Sequence, residues 1–357
     1  MTTAIIPGEI AQGPDAIRRT VVDARPMSRD IAAKLRRKGV RRIHVIGNGT
    51  SYHSSLAAAA LYARHAGPGD PIVVPMTAGA FLTYGPTLGD GDALVGISAS
   101  GEFRDVVAVA EAWRDRVAVV GIVHVPGSTL TRVATDVVIS SGGPSDVPVM
   151  TKTFSATLVA TEMLLLDLLG PDRAEGPIGE IVRAADHAEA AIATTEPVVD
   201  KLAAELAESA HVFVVGSGLA HIAAMEAALK LKEMAIVHAE GTETWEMASG
   251  AATIVGPGTV VVALAPAGPG RDATADIVAH AAEWGARIIE VGPTSLAPGS
   301  TLLPLPVGAV EDHAPLTAVP PIAMLAFALA RHRGYDPDHP AWVERYHSQG
   351  LRHILGV

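Results

Sequence analysis

Residues 45–60, "VIGNGTSYHSSLAAAA", and residues 214–229, "VVGSGLAHIAAMEAAL", are two versions of one pattern. Each runs from an apolar β-branched stretch through a Gly-x-Gly turn into an Ala-rich stretch of helical composition. Gly47 and Gly216 are equivalent, and 216 − 47 gives an offset of 169 residues. A match of this kind within one chain reads as a duplicated unit.

Outward from the first copy, β-rich and helical runs alternate: "RIHVIG", "SYHSSLAAAALYARHAG", "PIVVPM", "DALVGIS", "FRDVVAVAEAWRD" and "VAVVGIVHV". The second copy restarts at "HVFVVG" and continues through "TVVVALAP" and "RIIEVG" to the helical "TAVPPIAMLAFALARHRG". Strands alternating with helices of ten or more residues imply parallel βαβ units. The expected fold is α/β, with two doubly wound parallel sheets flanked by helices. Residues 1–31 read as a helical lead, 32–190 as the first domain with a linker helix, 191–335 as the second domain and 336–357 as a tail. The link "GPDRAEGPIGEIVRAADHAEAAIATTEPVVDKLAAELAES" opens with Gly and Pro, and the domain boundary is placed within it near residue 190.

The composition narrows the function classes. Of 357 residues, 49% are hydrophobic and 18% charged, enough apolar material for buried sheets. Lys and Arg number 27 against 38 Asp and Glu, a net charge of −11, which argues against a nucleic-acid or anionic-membrane surface. No cysteine is present, which excludes disulfides, thiolate metal sites and a cysteine nucleophile. The opening "MTTAIIPGEIAQGPDAIRR" lacks a signal-peptide pattern, and "PPIAMLAFALARHR" is shorter than the roughly 18 apolar residues of a spanning helix. A cytoplasmic protein is expected, with no nucleic-acid or membrane partner.

Three polar turns carry candidate chemistry. In "GNGTS", Gly49 allows close backbone approach while Thr50 and Ser51 offer hydroxyls at a helix N-terminus. "SASGE" repeats this with Ser98, Ser100 and Gly101, and "VMTKTFSAT" adds Thr151, Lys152 and Thr153. Turns after successive strands of one parallel sheet can converge on one anion, although Ser and Thr also serve as ordinary N-caps. A dinucleotide site is disfavoured because neither "GNG" nor "GSG" is completed as G-x-G-x-x-G.

A different signal lies in "MEAALKLKEMAIVHAE", where Glu226, Lys230 and Glu233 fall on one helix face at steps of four and three. Two readings are open: a structural ion-pair stripe, or a proton-transfer site. Proton transfer next to a carbonyl or imine needs a carboxylate near the carbon acid with its pKa raised by burial, a rise that a neighbouring Lys opposes. Glu233 is the leading candidate. No metal is expected, since the histidines form no H-x-x-x-H or H-E-x-x-H grouping.

Taken together, "GNGTSYHS", "SASGE", "VPGSTL", "MTKTF", "EAALKLKEMAIVHAE" and "DPDHP" resemble the sugar isomerase (SIS) domain proteins from about Arg42 to Arg345. The likeness is to the double-SIS subgroup: the isomerase half of glucosamine-6-phosphate synthase, the amino-sugar-phosphate deaminases and the fructosamine-phosphate deglycases. It implies two tandem SIS domains of flavodoxin-like or Rossmann-like three-layer build, no cofactor, a phosphorylated sugar or amino-sugar ligand bound between domains, and a homodimer. It places phosphate on Thr50, Ser51, Ser98 and Ser100, gives Glu233 the proton shuttle between C1 and C2, and gives Glu226 and Lys230 positioning roles.

The sequence also departs from that pattern. Where the family has a ring-opening histidine sixteen residues after the shuttling glutamate, this chain has Ser249. The glutamine between the phosphate-loop serines is Ala99, and the threonine after "SGE" is Phe103, with Arg104 beside it as a substitute or a solvated helix residue. The C-terminal lysine is matched by Arg345, which keeps the charge but forms no Schiff base. His347 and His353 in the tail, or His238, are alternative imidazoles, each read first as structural or surface histidines. Glu240, Glu243 and Glu246 read as solvent-facing. The expected function is a phosphosugar isomerase-type deaminase or deglycase, favoured over amide-nitrogen synthesis because no cysteine is present to hydrolyse glutamine. A plain aldose-ketose isomerase and a catalytically silent sugar-phosphate binder are the alternatives.

Overall fold

The computed structural model describes residues 4–343. These form two compact units, one of residues 15–145, 152–182 and 341–343, the other of residues 4–14, 146–151 and 183–340. Each contains one five-stranded, wholly parallel sheet.

In the first unit the strands are β1 (Arg42–Gly47), β2 (Ile72–Thr77), β3 (Asp92–Ile97), β4 (Ala118–Val123) and β5 (Asp136–Ile139), in the spatial order β2-β1-β3-β4-β5. "DALVGI" and "AVVGIV" are buried along their whole length, which is why they read as continuous apolar runs and not as alternation. Pro75 sits on β2, where the missing N–H costs least because β2 is an edge strand. The helices are α2 (Gly13–Arg37), α3 (Thr50–His65), α4 (Ala78–Tyr84), α5 (Arg104–Trp113), α6 (Thr129–Val133) and α7 (Lys152–Asp167), with α1 (Ile5–Ala11) belonging to the other unit. One core cluster joins Ile46 and Leu94 of the sheet to Val106, Val109 and Leu130 of the helices. On α7 every side chain is buried, and the helix packs along α3.

The long helix α8 (Pro171–Leu206) starts in the first unit and ends in the second, so the boundary expected near residue 190 falls inside a continuous helix. Its charged, Ala-rich composition favours helix, and it runs for 36 residues with Pro177 and Pro197 inside it.

The second unit repeats the plan with β6 (His211–Gly216), β7 (His238–Glu243), β8 (Thr259–Leu264), β9 (Arg287–Gly292) and β10 (Thr301–Pro304) in the order β10-β9-β8-β6-β7. Read from the β7 edge, this is the strand order of the first sheet. Its helices are α9 (Gly218–Ala235), α10 (Thr244–Ser249), α11 (Arg271–Glu283), α12 (Ala314–Thr317) and α13 (Val319–His332), with 3-10 turns at Ala251–Ile254 and Glu311–His313. Helix α1 is anchored here, its first N–H groups at Ile5 and Ile6 each donating to the Asp338 carboxylate at 2.9 Å.

The apolar run near the C-terminus corrects an expectation based on length. The turn at Glu311 and helix α12 extend it to 22 helical residues, Glu311–His332, long and apolar enough to cross a membrane, but 83% of its apolar window is buried within the fold. Helix α13 packs on α9, which accounts for its hydrophobicity as core.

Candidate functional site

In the first unit the polar turns lie at the C-terminal ends of β1 and β3, which are hydrogen-bonded neighbours. Gly47 ends β1 where α3 folds back on it: a Cβ there would lie 2.7 Å from Ser51 Cβ and 2.9 Å from the Ser51 carbonyl carbon. Gly49 then takes a φ of +50°, the left-handed region open to glycine, and starts α3. Thr50 and Ser51 follow in the first turn of that helix, both buried.

After β3, the Gly101 N–H donates to Ser98 Oγ at 3.0 Å, and the Glu102 N–H donates to Ser100 Oγ at 3.3 Å. Ser98 is buried and Ser100 exposed. Glu102 accepts from the Thr129 N–H at 2.8 Å and its hydroxyl at 2.6 Å, bonds that hold its carboxyl below the usual glutamate range. The two turns are tied together by the Asn48 amide, which donates to the Asp105 carboxylate.

Sequence reading passed over one residue here, Ser128. It is buried against Gly101, where an added Cβ would lie 2.0 Å from Ser128 Oγ, and that Oγ has no hydrogen-bond partner among the described residues. The signal was its place in "VPGSTL", a turn after the next strand along, β4. Thr151, grouped with these turns in the sequence, belongs to the other unit, where its hydroxyl donates to Glu9 at 3.0 Å. Arg104 is exposed at the start of α5.

The second unit carries the charged triplet. Helix α9 packs on β6, β7 and α13, so it is enclosed on most sides. Gly241 of β7 permits close approach to the α9 backbone: a Cβ there would lie 2.5 Å from Met225 Cα. Glu226 and Lys230 are consequently buried, at 0% and 1% side-chain exposure, whereas Glu233, one turn further on, keeps 25%. Lys230 Nζ lies 3.0 Å from Glu226 Oε1 and 2.7 Å from Glu233 Oε2.

This geometry excludes a solvated stripe. Burial pulls the Lys230 pKa down, but the two carboxylates outweigh it and hold the ammonium above its ordinary value. Lys230 is therefore a fixed cation, unsuited to act as a base near neutrality. It holds the Glu233 carboxylate by one oxygen, in reach of solvent.

Beyond Glu233 the helix stops at Ala235, with Ile236 left-handed at φ 52°, and the chain enters β7. His238 is therefore on an edge strand, ring to ring with His211 at 5.7 Å, and not on a continuing helix. Glu240 and Glu246 are exposed as expected, but Glu243 is half-buried and caps α10, accepting from the Trp245 and Glu246 N–H groups and from Ser217 Oγ. That strand-to-helix turn was not visible in sequence. Ser249 is exposed at the end of α10, its hydroxyl donating to the Trp245 carbonyl at 2.8 Å. Arg345, His347 and His353 lie outside the described residues.

Comparison with known proteins bears on the family and the fold. The SIS domain family profile matches residues 35–167 and 205–297. Glutamine-fructose-6-phosphate aminotransferase (isomerizing) of Methanothermobacter thermautotrophicus is 31% identical over 338 residues, 93% of this chain and 55% of that protein. The chain thus spans about half the length of the curated relatives it matches. Among solved structures, the C-terminal domain of glucosamine-fructose-6-phosphate aminotransferase from Francisella tularensis superposes with a TM-score of 0.84 at 21% identity, covering 94% of this chain and 98% of that one. Glucosamine-6-phosphate deaminase from Thermotoga maritima gives 0.70 at 20% identity, covering 92% and 97%. The family profile matches well over half of the sequence and falls on both sheets, so this chain belongs to the SIS domain family.

Proposed function

We propose that this protein is a phosphosugar isomerase-type enzyme that releases an amine from an amino-sugar phosphate or a phosphorylated sugar-amine conjugate. The observation that carries the reading is the Glu226–Lys230–Glu233 array, in which only the last carboxylate reaches solvent. Thr50, Ser51, Ser98 and Ser100, with the backbone at Gly49 and Gly101, are the proposed phosphate ligands.

Glu233 takes the proton from the carbon beside the carbonyl or imine and returns it to the adjacent carbon. With nitrogen on C2, moving the C2 proton to C1 leaves a ketimine, and water then releases ammonia and the ketose phosphate. With an amine on C1 of a ketose, the reverse transfer leaves an aldimine, and water releases the amine and the aldose phosphate. Lys230 keeps the Glu233 carboxylate in one orientation throughout, and Glu226 balances the buried cation.

Glu233→Gln keeps the shape and the contact to Lys230 while removing the base. Turnover is expected to fall by about 10²–10⁴-fold with sugar-phosphate affinity within a few fold. Measurement of kcat and ligand affinity on the same preparation checks this, and unimpaired turnover refutes the assignment. Ser249, in the place of the ring-opening histidine, favours a second reading as a silent sugar-phosphate binder. Binding of phosphorylated sugars with neither amine release nor isomerisation, across hexoses, hexosamines and fructosamine conjugates, selects it.

A further inference from the structure

The second unit carries the same pair of turns as the first, at the C-terminal ends of neighbouring strands, but there they are not left for a ligand. The turn Gly216–Gly218 joins β6 to α9, and residues 265–270, "APAGPG", join β8 to α11. Gly218 takes a φ of +54°, matching +50° at its counterpart Gly49. At the 169-residue offset Thr50 and Ser51 become Leu219 and Ala220, and the one hydroxyl left in these turns, that of Ser217 in the place of Asn48, donates to Glu243 at 3.1 Å.

Into these turns projects the carboxylate of Glu311. It is 8% exposed. Its Oε2 accepts the Gly270 N–H at 3.1 Å at the start of α11. Its Oε1 lies so close to the start of α9 that a Cβ on Gly218 would stand 2.0 Å from it. A Cβ on Gly268 would stand 2.6 Å from Oε2, and one on Gly270 3.2 Å from the same atom. Gly218 and Gly268, one from each turn, therefore leave space for one carboxylate, while a Cβ on Gly270 would first meet Ser217, 2.5 Å from its Cβ and 3.0 Å from its Oγ. The backbone holds it in register, with the Glu311 N–H donating to the Ala267 carbonyl at 2.9 Å and the Ala267 N–H donating to Ala309.

An anion enclosed by glycine-rich turns at the N-termini of two helices of 18 and 13 residues is the arrangement that binds phosphate elsewhere in proteins. We propose that these turns form a second oxyanion site, latent because the Glu311 carboxylate occupies it, and that the site takes a tetrahedral oxyanion such as phosphate or sulfate once that carboxylate is removed. On this reading Glu311 is an internal stand-in for phosphate. It confines phosphate recognition to the hydroxyl-bearing turns of the first unit and pins the segment leading into α12 and α13 to the start of α9.

The test compares the full-length protein with Glu311→Ala and Glu311→Gln in chloride and in inorganic phosphate at matched ionic strength. Phosphate binding to the first unit is common to all three proteins, so the difference between them reports on the second. In chloride, Glu311→Ala is expected to melt roughly 5–10 °C lower, as for loss of a buried, hydrogen-bonded charge. Phosphate at tens of millimolar is expected to restore most of that loss, and equilibrium dialysis with labelled phosphate is expected to count one more site per chain than in the parent. Glu311→Gln, which preserves the shape and can still accept from Gly270, is expected to fold and to show a smaller loss with no extra site. If Glu311→Ala does not fold well enough to assay, crystals of Glu311→Gly grown with tungstate replace it, with a tetrahedral anion expected between Gly218 and Gly270. A destabilised variant that phosphate stabilises no more than it does the parent, an unchanged site count, or tungstate crystals without that anion overturns the proposal and leaves Glu311 a simple helix cap.

Discussion

Superimposed at the 169-residue offset, the two halves of this chain have traded chemistry. Helix α3 follows hydroxyl-bearing turns and carries Ala57, Leu61 and Arg64 where α9 carries Glu226, Lys230 and Glu233. Helix α9 follows turns whose one hydroxyl, that of Ser217, is bonded to Glu243 and which Glu311 fills from within, and it carries the buried charges. One scaffold, with one strand order, thus holds hydroxyl-bearing turns in one copy and an ionic helix in the other. The lesson is that duplication preserved the positions glycine must occupy, Gly47 and Gly216 under the following helix, while the side chains around them diverged freely.

The contrast breaks hardest at the charged helix. Lys230→Met removes the buried cation that Glu226 and Glu233 share, and a loss of about 3–5 kcal/mol is expected in chemical denaturation. Adding Glu226→Gln to that variant should recover much of it, whereas Leu61→Met at the equivalent place in α3 should cost below about 1.5 kcal/mol.

Each unit also buries a glutamate in a core helix, with opposite treatment. Glu226 has Lys230, while Glu162 on α7 has an oxygen with no partner among the described residues, and burial pushes its carboxyl up to about 8. Because that pKa is raised on folding, the stability linked to Glu162 is full below the unfolded value near 4.5 and is lost as pH rises toward about 8. Glu162→Gln should therefore flatten the pH dependence of stability across this window and gain about 3 kcal/mol at pH 8, measured by urea unfolding at pH 5 and pH 8. An unchanged slope places the burial penalty elsewhere.

The turns give a smaller effect. Ser51→Ala or Ser98→Ala should raise the KM or Kd for a phosphorylated sugar by about 10–150-fold, one hydrogen bond to a charged group, and leave unphosphorylated sugars unaffected. The mirror change Ala220→Ser adds a hydroxyl to turns already holding Glu311 and should give no phosphate dependence. Smallest is Ser249→His, at an exposed position on α10. It should change stability by less than about 0.5 kcal/mol, so a rise in rate on cyclic glucosamine 6-phosphate would report restored ring opening directly.

Much of this was legible in the chain. The repeat, the parallel α/β class and the hydroxyl turns follow from local rules, since a strand, a glycine turn and an Ala-rich helix are specified by adjacent residues. Less legible was β7, whose "HAEGTE" has neither alternation nor apolar mass, because it is an edge strand packed on one helix. Ser128 was passed over because its role depends on the turn after β3, 27 residues away from Gly101.

The sequence by itself determined the spacing of Glu226, Lys230 and Glu233, because helix geometry places such positions on one face whatever surrounds them. Only the tertiary structure decided that this face is buried, since β6 and β7 flank α9 in sequence but its enclosure is completed by α13, remote along the chain. It alone brought Glu311 to Gly218, 93 residues apart in sequence, where a carboxylate and a glycine turn acquire meaning only by touching.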